Sequence, residues 1–237
     1  MGRILAAESI GKRFGRRWVL ESAGLWATPG RVSVLLGRNG SGKTTILRIA
    51  IGRLRPSYGI VIFAGERLDR PRLPDLAVRG LFYLPSDRFL CDRYSVREHL
   101  AALAHRFPAA AVDDALEMLR LAPFLDRRPP TLSGGEARRA EVALALARQP
   151  RCLLADEPFT GLMPTDVELL AEAFRRLAAA GCGLVLTGHE VRPLLAAADD
   201  VYWMTAGTTH LLGSPADARG HRQFQREYLC GREHGRS

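Results

Sequence analysis

The sequence predicts an α/β fold with a mainly parallel sheet, an antiparallel β portion and an inserted helical subdomain. Strand and helix patterns alternate over residues 1 to about 85 and again over 150 to 215, as in sheets covered by helices. Residues about 87 to 149 instead carry mostly helical patterns, such as SVREHLAALAHRF and AAAVDDALEMLRL. The 237 residues suffice for one large domain with a substantial core.

The amino-terminal stretch contains the predicted antiparallel portion. Arg3 to Phe14 is a strand candidate, and Gly59 to Leu68 is a second one. The dipeptide Gly65-Glu66 has the composition of a turn inside the second candidate. We therefore expect these segments to pair beside the parallel sheet.

A glycine-rich loop follows the next strand. Val32 to Leu36 is a short apolar strand, and residues 37–44, GRNGSGKT, fit the pattern G-x-x-x-x-G-K-[ST] at every fixed position. Thr45 to Ile51 then reads as a helix that ends at Gly52. Because strand, loop and helix occur in the required order, this segment is predicted to be the nucleotide-binding P-loop of an NTPase core.

The residue types of this loop suit phosphate binding. Glycines let backbone N–H groups converge on phosphate oxygens, and the helix N-terminus adds its positive dipole end. Lys43 is predicted to neutralise the β- and γ-phosphates, and the Thr44 hydroxyl to bind Mg²⁺. The predicted nucleotide-binding residues here are Gly37, Arg38, Asn39, Gly40, Ser41, Gly42, Lys43, Thr44 and Thr45.

The charge composition supports a special role for Lys43. The net charge is +9, yet Lys12 and Lys43 are the only lysines among 34 basic residues. A compact ammonium is therefore expected to be needed at position 43, where the broad arginine fork would not fit. The scattered arginines are interpreted mainly as a solvated surface, with attraction to an anionic membrane surface as the alternative.

Other bulk features exclude several classes of protein. The chain has no run of about 20 apolar residues, and its start, MGRILAAES, lacks the apolar region of a signal peptide. The four cysteines have no C-x-x-C spacing, so we expect reduced thiols rather than a zinc site or disulfides. These features predict a protein that is made and kept in the cytosol.

Two adjacent acids end a later strand. Cys152 to Ala155 is an apolar strand candidate that leads into Asp156 and Glu157, and Pro158 ends it. If this strand lies beside the P-loop strand, Asp156 reaches the metal and Glu157 can act as general base toward the attacking water. The alternative is a strand that exits to solvent through two surface acids.

A capped helix with two glycines in its first turn begins at Ser133. Ser133 and Glu136 form a predicted capping box before an Ala- and Leu-rich helix, with Pro150 just beyond its end. Gly134 and Gly135 weaken such a helix by roughly 1 kcal/mol each relative to Ala. They are explained if the exposed helix N-terminus lies against an anion, whereas an ordinary capped helix is the alternative.

The chain resembles the nucleotide-binding subunits of the ATP-binding cassette (ABC) transporter family over roughly residues 3 to 215. The family motifs occur in their usual order as GRNGSGKTT, LSGGE, LLADEP and TGH, the last at 187–189. The resemblance implies ATP and Mg²⁺ as ligands. It also implies an ABC ATPase domain over 1–217, with its helical subdomain and signature helix at about 87–149, and a basic tail over 218–237.

The resemblance assigns further site residues. Ser133 and Gly135 would contact the γ-phosphate of an ATP held by a second subunit, in a head-to-tail homodimer with two ATP molecules at the interface, and Gly134 and Glu136 belong to the same predicted ATP-binding segment. His189 resembles the histidine that holds the γ-phosphate and positions Glu157, and Phe14 the aromatic that stacks on adenine. Tyr228-Leu229-Cys230 resembles the Tyr-Leu-Gly ending of some subunits of branched-chain amino-acid importers and lipopolysaccharide exporters.

Two positions depart from the family. Ser86 occupies the place of a Gln that reaches Mg²⁺ and the attacking water, so it could contribute only through a bridging water. Met163 replaces an Asp that links the two ATP sites, and its thioether accepts only weak hydrogen bonds. We therefore expect altered communication between sites with the hydrolytic pair intact.

The predicted function is that of an ATPase subunit that powers transport by an integral membrane permease in a separate chain. We expect it at the inner face of a bacterial cell membrane, with no nucleic-acid partner. One alternative is a cassette that binds ATP as a switch and hydrolyses it slowly, given Ser86 and Met163. Another is a soluble cassette that acts on ribosomes or DNA, suggested by the positive charge.

Overall fold

A computed structural model describes residues 2–104 and 106–229, and its described strands form one ten-stranded sheet. The strands are β1 (Leu5–Phe14), β2 (Arg17–Ala27), β3 (Val32–Gly37), β4 (Tyr58–Phe63), β5 (Glu66–Leu68), β6 (Leu81–Leu84), β7 (Cys152–Ala155), β8 (Gly183–Gly188), β9 (Asp200–Thr205) and β10 (Thr208–Gly213). Their order across the sheet is β5-β4-β1-β2-β10-β9-β3-β8-β7-β6.

The sheet has a parallel half and an antiparallel half. β6, β7, β8, β3 and β9 pair in parallel, whereas β5, β4, β1 and β2 pair antiparallel. β10 joins the halves, because it pairs antiparallel with β9 and in parallel with β2 at Thr208 and Ser22. The predicted α/β fold with an antiparallel portion is confirmed.

Helices cover both faces of this sheet. They are α1 (Lys43–Ala50), α2 (Leu73–Val78), α3 (Val96–Ala104), α4 (Ala109–Met118), α5 (Gly134–Arg148), α6 (Pro164–Ala179), α7 (Val191–Ala197), α8 (Pro215–Gly220) and α9 (Arg222–Phe224). Along β3, Val34 and Leu36 join the core that contains α5, α6 and α7, and Leu35 joins the core that contains α1. This alternation follows from the period of two in a strand.

The helical insertion lies between β6 and β7. It contains α3, α4 and α5, with short 3₁₀ turns at Ala122–Phe124 and Pro129–Thr131. The buried side chains of these helices are continuous with the core under α6 and α7. The insertion therefore packs on the sheet as part of one apolar core.

The first part of the predicted tail is packed on the sheet. Ala218 and Phe224 are buried, and Phe224 and Tyr228 stack with ring centroids 5.1 Å apart. Phe224 also meets Trp203 of β9 edge to face at 6.2 Å. The segment over 218–229 thus contributes to the core, while residues 230–237 of the predicted tail lie outside the described residues.

Candidate functional site

The P-loop connects β3 with α1. β3 is buried along its whole length, so the loop leaves the sheet at a fixed point. Gly40 and Gly42 have φ angles of 81° and 109°, in the left-handed region that favours glycine. A side chain at Gly42 would also meet the side chain of Leu20. The loop conformation therefore depends on the predicted glycines.

Lys43 stands at the first position of α1 with a side chain only 4% exposed. Its ammonium donates to the carbonyls of Gly37 (2.8 Å) and Arg38 (3.2 Å), and lies 3.7 Å from a Glu157 carboxylate oxygen. Burial lowers the pKa of Lys43, and the charges of Glu157 and Asp156 oppose that shift. A cation thus sits inside the loop that is predicted to receive phosphates.

Asp156 lies beside the P-loop because of strand pairing. β7 pairs in parallel with β8, and β8 with β3, so their carboxyl ends share one edge of the sheet. One oxygen of the fully buried Asp156 accepts hydrogen bonds from the hydroxyls of Thr44 (3.2 Å) and Thr187 (2.7 Å). Burial raises the pKa of Asp156, and these two hydrogen bonds oppose the shift.

The oxygen atoms of Asp156 and Thr44 are suitable ligands for a magnesium ion. The other oxygen of Asp156 is buried and has no hydrogen-bond partner in the part of the chain that the structure describes. The Thr44 hydroxyl lies next to it, and Mg²⁺ prefers few protein carboxylates together with phosphate oxygens and water. Asp156 and Thr44 therefore fit the ion, whereas Ser86 is exposed and forms no side-chain hydrogen bond with any described residue.

Glu157 and His189 face each other near Lys43. A Glu157 carboxylate oxygen lies 3.5 Å from Nδ1 of His189, and that nitrogen is buried without a hydrogen bond among the described residues. Glu157 has a φ of 49°, which is uncommon for a residue with a side chain and often marks a functional site. The Glu157 N–H donates to the Thr187 hydroxyl (3.2 Å), so Thr187 holds both acids.

A cavity of about 560 Å³ opens from the P-loop toward β2. Its wall includes Arg38 to Ser41 of the loop, Trp18 and Glu227. Phe14 is 49% exposed at the end of β1 but does not line this cavity, and the Lys12 ammonium lies 5.0 Å from its ring centroid. The aromatic side chain against the cavity is therefore Trp18, which sequence reasoning missed.

The signature segment begins as predicted and faces solvent. The Ser133 hydroxyl accepts from the Glu136 N–H (3.2 Å), and a Glu136 oxygen accepts from the Ser133 N–H (2.8 Å), which confirms the capping box. That backbone donor lowers the pKa of Glu136. Ser133 and Gly134 are exposed, and no signature residue lines the P-loop cavity.

The second glycine of the signature is explained by packing within the chain. A side chain at Gly135 would collide with the Asp166 carboxylate, whereas one at Gly134 would meet no atom within 4 Å among the described residues. Asp166 also lies 3.1 Å from the Arg139 guanidinium, so α6 is tied to α5 at this point. The absence of a side chain at Gly135 thus leaves room for the Asp166 carboxylate beside α5.

The residue at the position where the family has an Asp is exposed to solvent. Met163 is the N-cap of α6, with a side chain 69% exposed and no side-chain capping hydrogen bond to the described residues. The acid of the first turn is Asp166, three residues later. The predicted departure at Met163 therefore leaves an apolar side chain at the surface.

A buried ion pair holds the segment around Ser86. Arg138 donates to the carbonyls of Pro85 (2.8 Å) and Ser86 (2.6 Å), and pairs with Glu141 at 3.0 Å. A Glu141 oxygen in turn accepts from the Phe89 N–H at 2.9 Å. Burial lowers the pKa of Arg138 and raises that of Glu141. The signature helix α5 thereby fixes the backbone that follows β6.

Sequence reasoning missed Thr187, Arg138 and Glu141. Thr187 directly precedes the predicted Gly-His pair, so a polar residue at a buried strand end was the available signal. Arg138 and Glu141 look like a solvated ion pair of a helix, because their backbone partners lie about 50 residues away in the sequence. Only the packing of α5 on the 85–89 segment identifies them.

The chain is similar to known ATP-binding subunits of transporters. The sequence pattern of the family described as ABC transporter matches residues 20–160. A lipopolysaccharide export system ATP-binding protein, LptB, of Haemophilus influenzae is 32% identical over 233 residues, which cover 95% of this chain and 97% of the relative. A putative ABC transporter ATP-binding protein of Halobacterium salinarum is 34% identical over 223 residues, 92% of this chain and 96% of the relative.

A solved structure shows the same fold. The ATP-binding subunit of an ABC transporter superposes with a TM-score of 0.79 and 26% identity, covering 93% of each chain. The resemblance of residues 228–230 to the ending of some lipopolysaccharide exporters stays a prediction, and Cys230 lies outside the described residues.

Proposed function

We propose how this chain works from one premise: it belongs to the ABC transporter family. It is an ATP-binding and ATP-hydrolysing subunit that serves transport with a separate membrane partner. The observation that supports a specific mechanism is the convergence of Asp156 and Glu157 on the first turn of α1, with His189 against Glu157. Asp156 and Glu157 directly follow β7, and His189 directly follows β8, at the same edge of the parallel half-sheet.

The roles of the side chains follow from their positions. Lys43 moves from the loop carbonyls to neutralise the β- and γ-phosphates of ATP. Glu157 accepts a proton from the attacking water, because its carboxylate lies near the cradle and remains 22% exposed. His189 holds the Glu157 carboxylate in place and contacts the γ-phosphate.

Asp156 and Thr44 hold the magnesium ion in this proposal. Mg²⁺ supplies neutralising charge to the phosphate oxygens when it is bound. Thr187 fixes one oxygen of Asp156, so the other oxygen keeps a constant direction. The unpartnered state of that second oxygen within the described chain supports the assignment.

The signature segment serves a second copy of the chain. Ser133 and Gly134 are exposed at the start of α5, and none of the signature residues lines the chain's own cavity. A helix N-terminus with free N–H groups attracts phosphate. In a head-to-tail homodimer this end of α5 completes the ATP site of the partner, and Glu136 keeps the cap in shape.

The membrane partner is a permease in another chain. Among the described residues no helix is both long and apolar enough to cross a membrane. Phe89 and Tyr94 are exposed aromatic side chains next to the segment held by Arg138. In this proposal the permease binds to this surface on the cytoplasmic side of the bacterial inner membrane. A movement of the Ser86 segment is then transmitted through this surface to the permease.

ATP turnover tests the proposal. Glu157→Gln should lower phosphate release by about 10² to 10⁴-fold, because it removes the general base, while ATP binding persists. Glu172→Gln, which changes an exposed carboxylate of α6, is the matched control and should leave turnover unchanged. If the unmodified protein turns over no faster than Glu157→Gln, even with its membrane partner, the assigned mechanism is wrong.

A second candidate is a cassette that uses ATP as a switch and hydrolyses it slowly. Two observations favour it. Met163 is exposed, and Ser86 is exposed and forms no side-chain hydrogen bond with the described residues. This candidate predicts ATP-dependent dimerisation with little difference in turnover between the unmodified protein and Glu157→Gln. Rapid, Glu157-dependent turnover would exclude it.

A further inference from the structure

A second cavity lies on the antiparallel side of the molecule, away from the P-loop. It has a volume of about 510 Å³, which is within the usual range for small-molecule sites. Its walls are the end of α1, the segment over 52–59, strands β4 and β5, and the loop over 69–72. It shares no lining residue with the cavity of the P-loop.

Four arginines line this cavity with a single carboxylate. They are Arg55, Arg67, Arg70 and Arg72, and the carboxylate is Asp69. None of these five side chains forms an ion pair within 4.0 Å in the described part of the chain. At pH 7 the lining therefore carries a formal excess of three positive charges.

A nearby arginine outside the cavity, in contrast, has its charge paired with a carboxylate. Arg79, just after α2, pairs with Glu66 at 2.9 Å and donates to the Phe63 carbonyl at 3.1 Å. Its charge is paired, and the same terminal nitrogen also donates to a carbonyl, both within the antiparallel portion. The cavity arginines belong to the same region but lack such partners among the described residues, so their charge is available to a ligand.

The cavity walls are held in place by the backbone. Gly52 has a φ of 76°, and a side chain there would collide with the Pro71 carbonyl, so the end of α1 lies directly against the 69–72 loop. Gly59 has a φ of 100° and approaches the backbone of Glu8 and Ser9 in the same way. These two close approaches each involve a glycine of the cavity wall.

We propose that this cavity is a binding site for a phosphate-bearing anion, distinct from the ATP site. Guanidinium groups bind phosphate oxygens through paired, charge-assisted hydrogen bonds, and several of them around one concave site favour phosphate over a single carboxylate. The apolar part of the wall, including Leu54 and Val61, can take a hydrophobic portion of the ligand. The phosphate belongs either to a lipid headgroup or to a small soluble molecule.

Helix α1 connects this cavity directly with the ATP site. α1 begins at Lys43, in the phosphate cradle, and Ile49 near its other end lines the arginine cavity. Eight helical residues span roughly 12 Å. Both ends of one short buried helix thus contact a site for anions.

Two binding measurements on the full-length protein test the proposal. In the first, inorganic pyrophosphate is titrated calorimetrically into protein whose P-loop is saturated with ADP. In the second, the protein is co-sedimented with vesicles of phosphatidylcholine with or without phosphatidylglycerol. Binding of pyrophosphate alone identifies a soluble ligand, and binding to the anionic vesicles alone identifies a lipid headgroup.

The variant is Arg55→Gln/Arg70→Gln/Arg72→Gln, and the control is Arg93→Gln/Arg120→Gln/Arg219→Gln, which removes the same charge from exposed positions elsewhere. The cavity variant should weaken binding by at least about tenfold, because it removes several charge-assisted hydrogen bonds, and the control should not. Equal loss in both variants, or binding of neither probe by the unmodified protein, would refute the proposal. Thermal unfolding of both variants shows whether they are folded, and single Arg→Gln variants replace the triple variant if it is not.

These outcomes are separate from those for the ATPase. Loss of anion binding with Glu157-dependent turnover intact would leave the proposed function standing. Failure of ADP to bind would count against the ATP site alone, because the vesicle measurement does not use a nucleotide.

Discussion

The P-loop side of the site and the signature side differ in burial and in how many of their polar groups have partners within the chain. Lys43 is 4% exposed and Asp156 is fully buried, and both have partners within the chain. Ser133 and Gly134 are exposed, and Met163 is 69% exposed. The buried Lys43 and Asp156 thus have their partners within one chain, whereas the signature face remains exposed to solvent, as the proposed homodimer requires.

The largest effect is expected where the two sides join, at Arg138. Arg138→Gln leaves Glu141 buried without its cation and frees the carbonyls of Pro85 and Ser86. Breaking a buried ion pair in this way costs about 3–5 kcal/mol in the free energy of unfolding. Urea unfolding measures the change.

The control for this prediction is Arg175→Gln. Arg175 and Glu172 are also three residues apart and 3.0 Å from each other, but both are exposed. Exposed pairs contribute little, so this variant should unfold at nearly the same urea concentration as the unmodified protein. Equal destabilisation by the two variants would show that burial of the 138–141 pair is unimportant.

A smaller effect is expected on the P-loop side, at Thr187. Thr187→Val removes a donor to Asp156 at a buried contact and an acceptor for the Glu157 N–H at a partly buried one. The free energy of unfolding should fall by about 1–3 kcal/mol, and turnover should fall because both acids lose their support. Thr208→Val, a strand threonine of β10, is the control for the change in side-chain type. Unchanged turnover in Thr187→Val would show that the acids are positioned by other contacts.

The two signature glycines should respond differently to alanine. Gly134→Ala points into open space and should raise the stability of the isolated chain by up to about 1 kcal/mol, the difference in helix propensity. Gly135→Ala meets Asp166 and should lower the melting temperature instead. If ATP-dependent dimerisation is lost in Gly134→Ala while the chain is stabilised, Gly134 faces a partner. Retained dimerisation would contradict that assignment.

The smallest effect is expected at Met163. Met163→Asp supplies an N-cap to α6 and should stabilise the chain by about 0.5–1 kcal/mol, whereas Met163→Ala should not. The Asp variant should also change the cooperativity of ATP hydrolysis, because an Asp at this position is expected to link the two ATP sites of the proposed homodimer. ATP dependence identical to that of the unmodified protein would mean that an Asp is dispensable here.

Local patterns carried most of the prediction. The P-loop and the Ser133 capping box depend on residues within a few positions of one another, and both are present in the structure. The pair Asp156 and Glu157 needed one inference about distance, that β7 ends at the same edge as β3. Parallel pairing makes this inference reliable once the two strands are recognised.

Other features depend on contacts that the sequence does not display. β2 was absent from the predicted antiparallel portion because bulges in its pairing with β1 break the alternation of buried and exposed residues. Trp18 lies on β2, so the aromatic wall of the cavity was missed with it. Phe224 is surrounded by polar residues in the sequence, and only its packing on Trp203 shows that it belongs to the core.

The position of β3 in the sheet affects how this protein can fold during its synthesis on the ribosome. β3 is made early, but its two neighbours, β8 and β9, begin at Gly183 and Asp200. At usual rates of translation the delay between Val32 and Asp200 is on the order of 10 s. During that time the buried residues of β3 and the glycine-rich loop lack their neighbours. Nascent chains shorter than about 200 residues should therefore expose this apolar strand to chaperones and should not yet bind ATP.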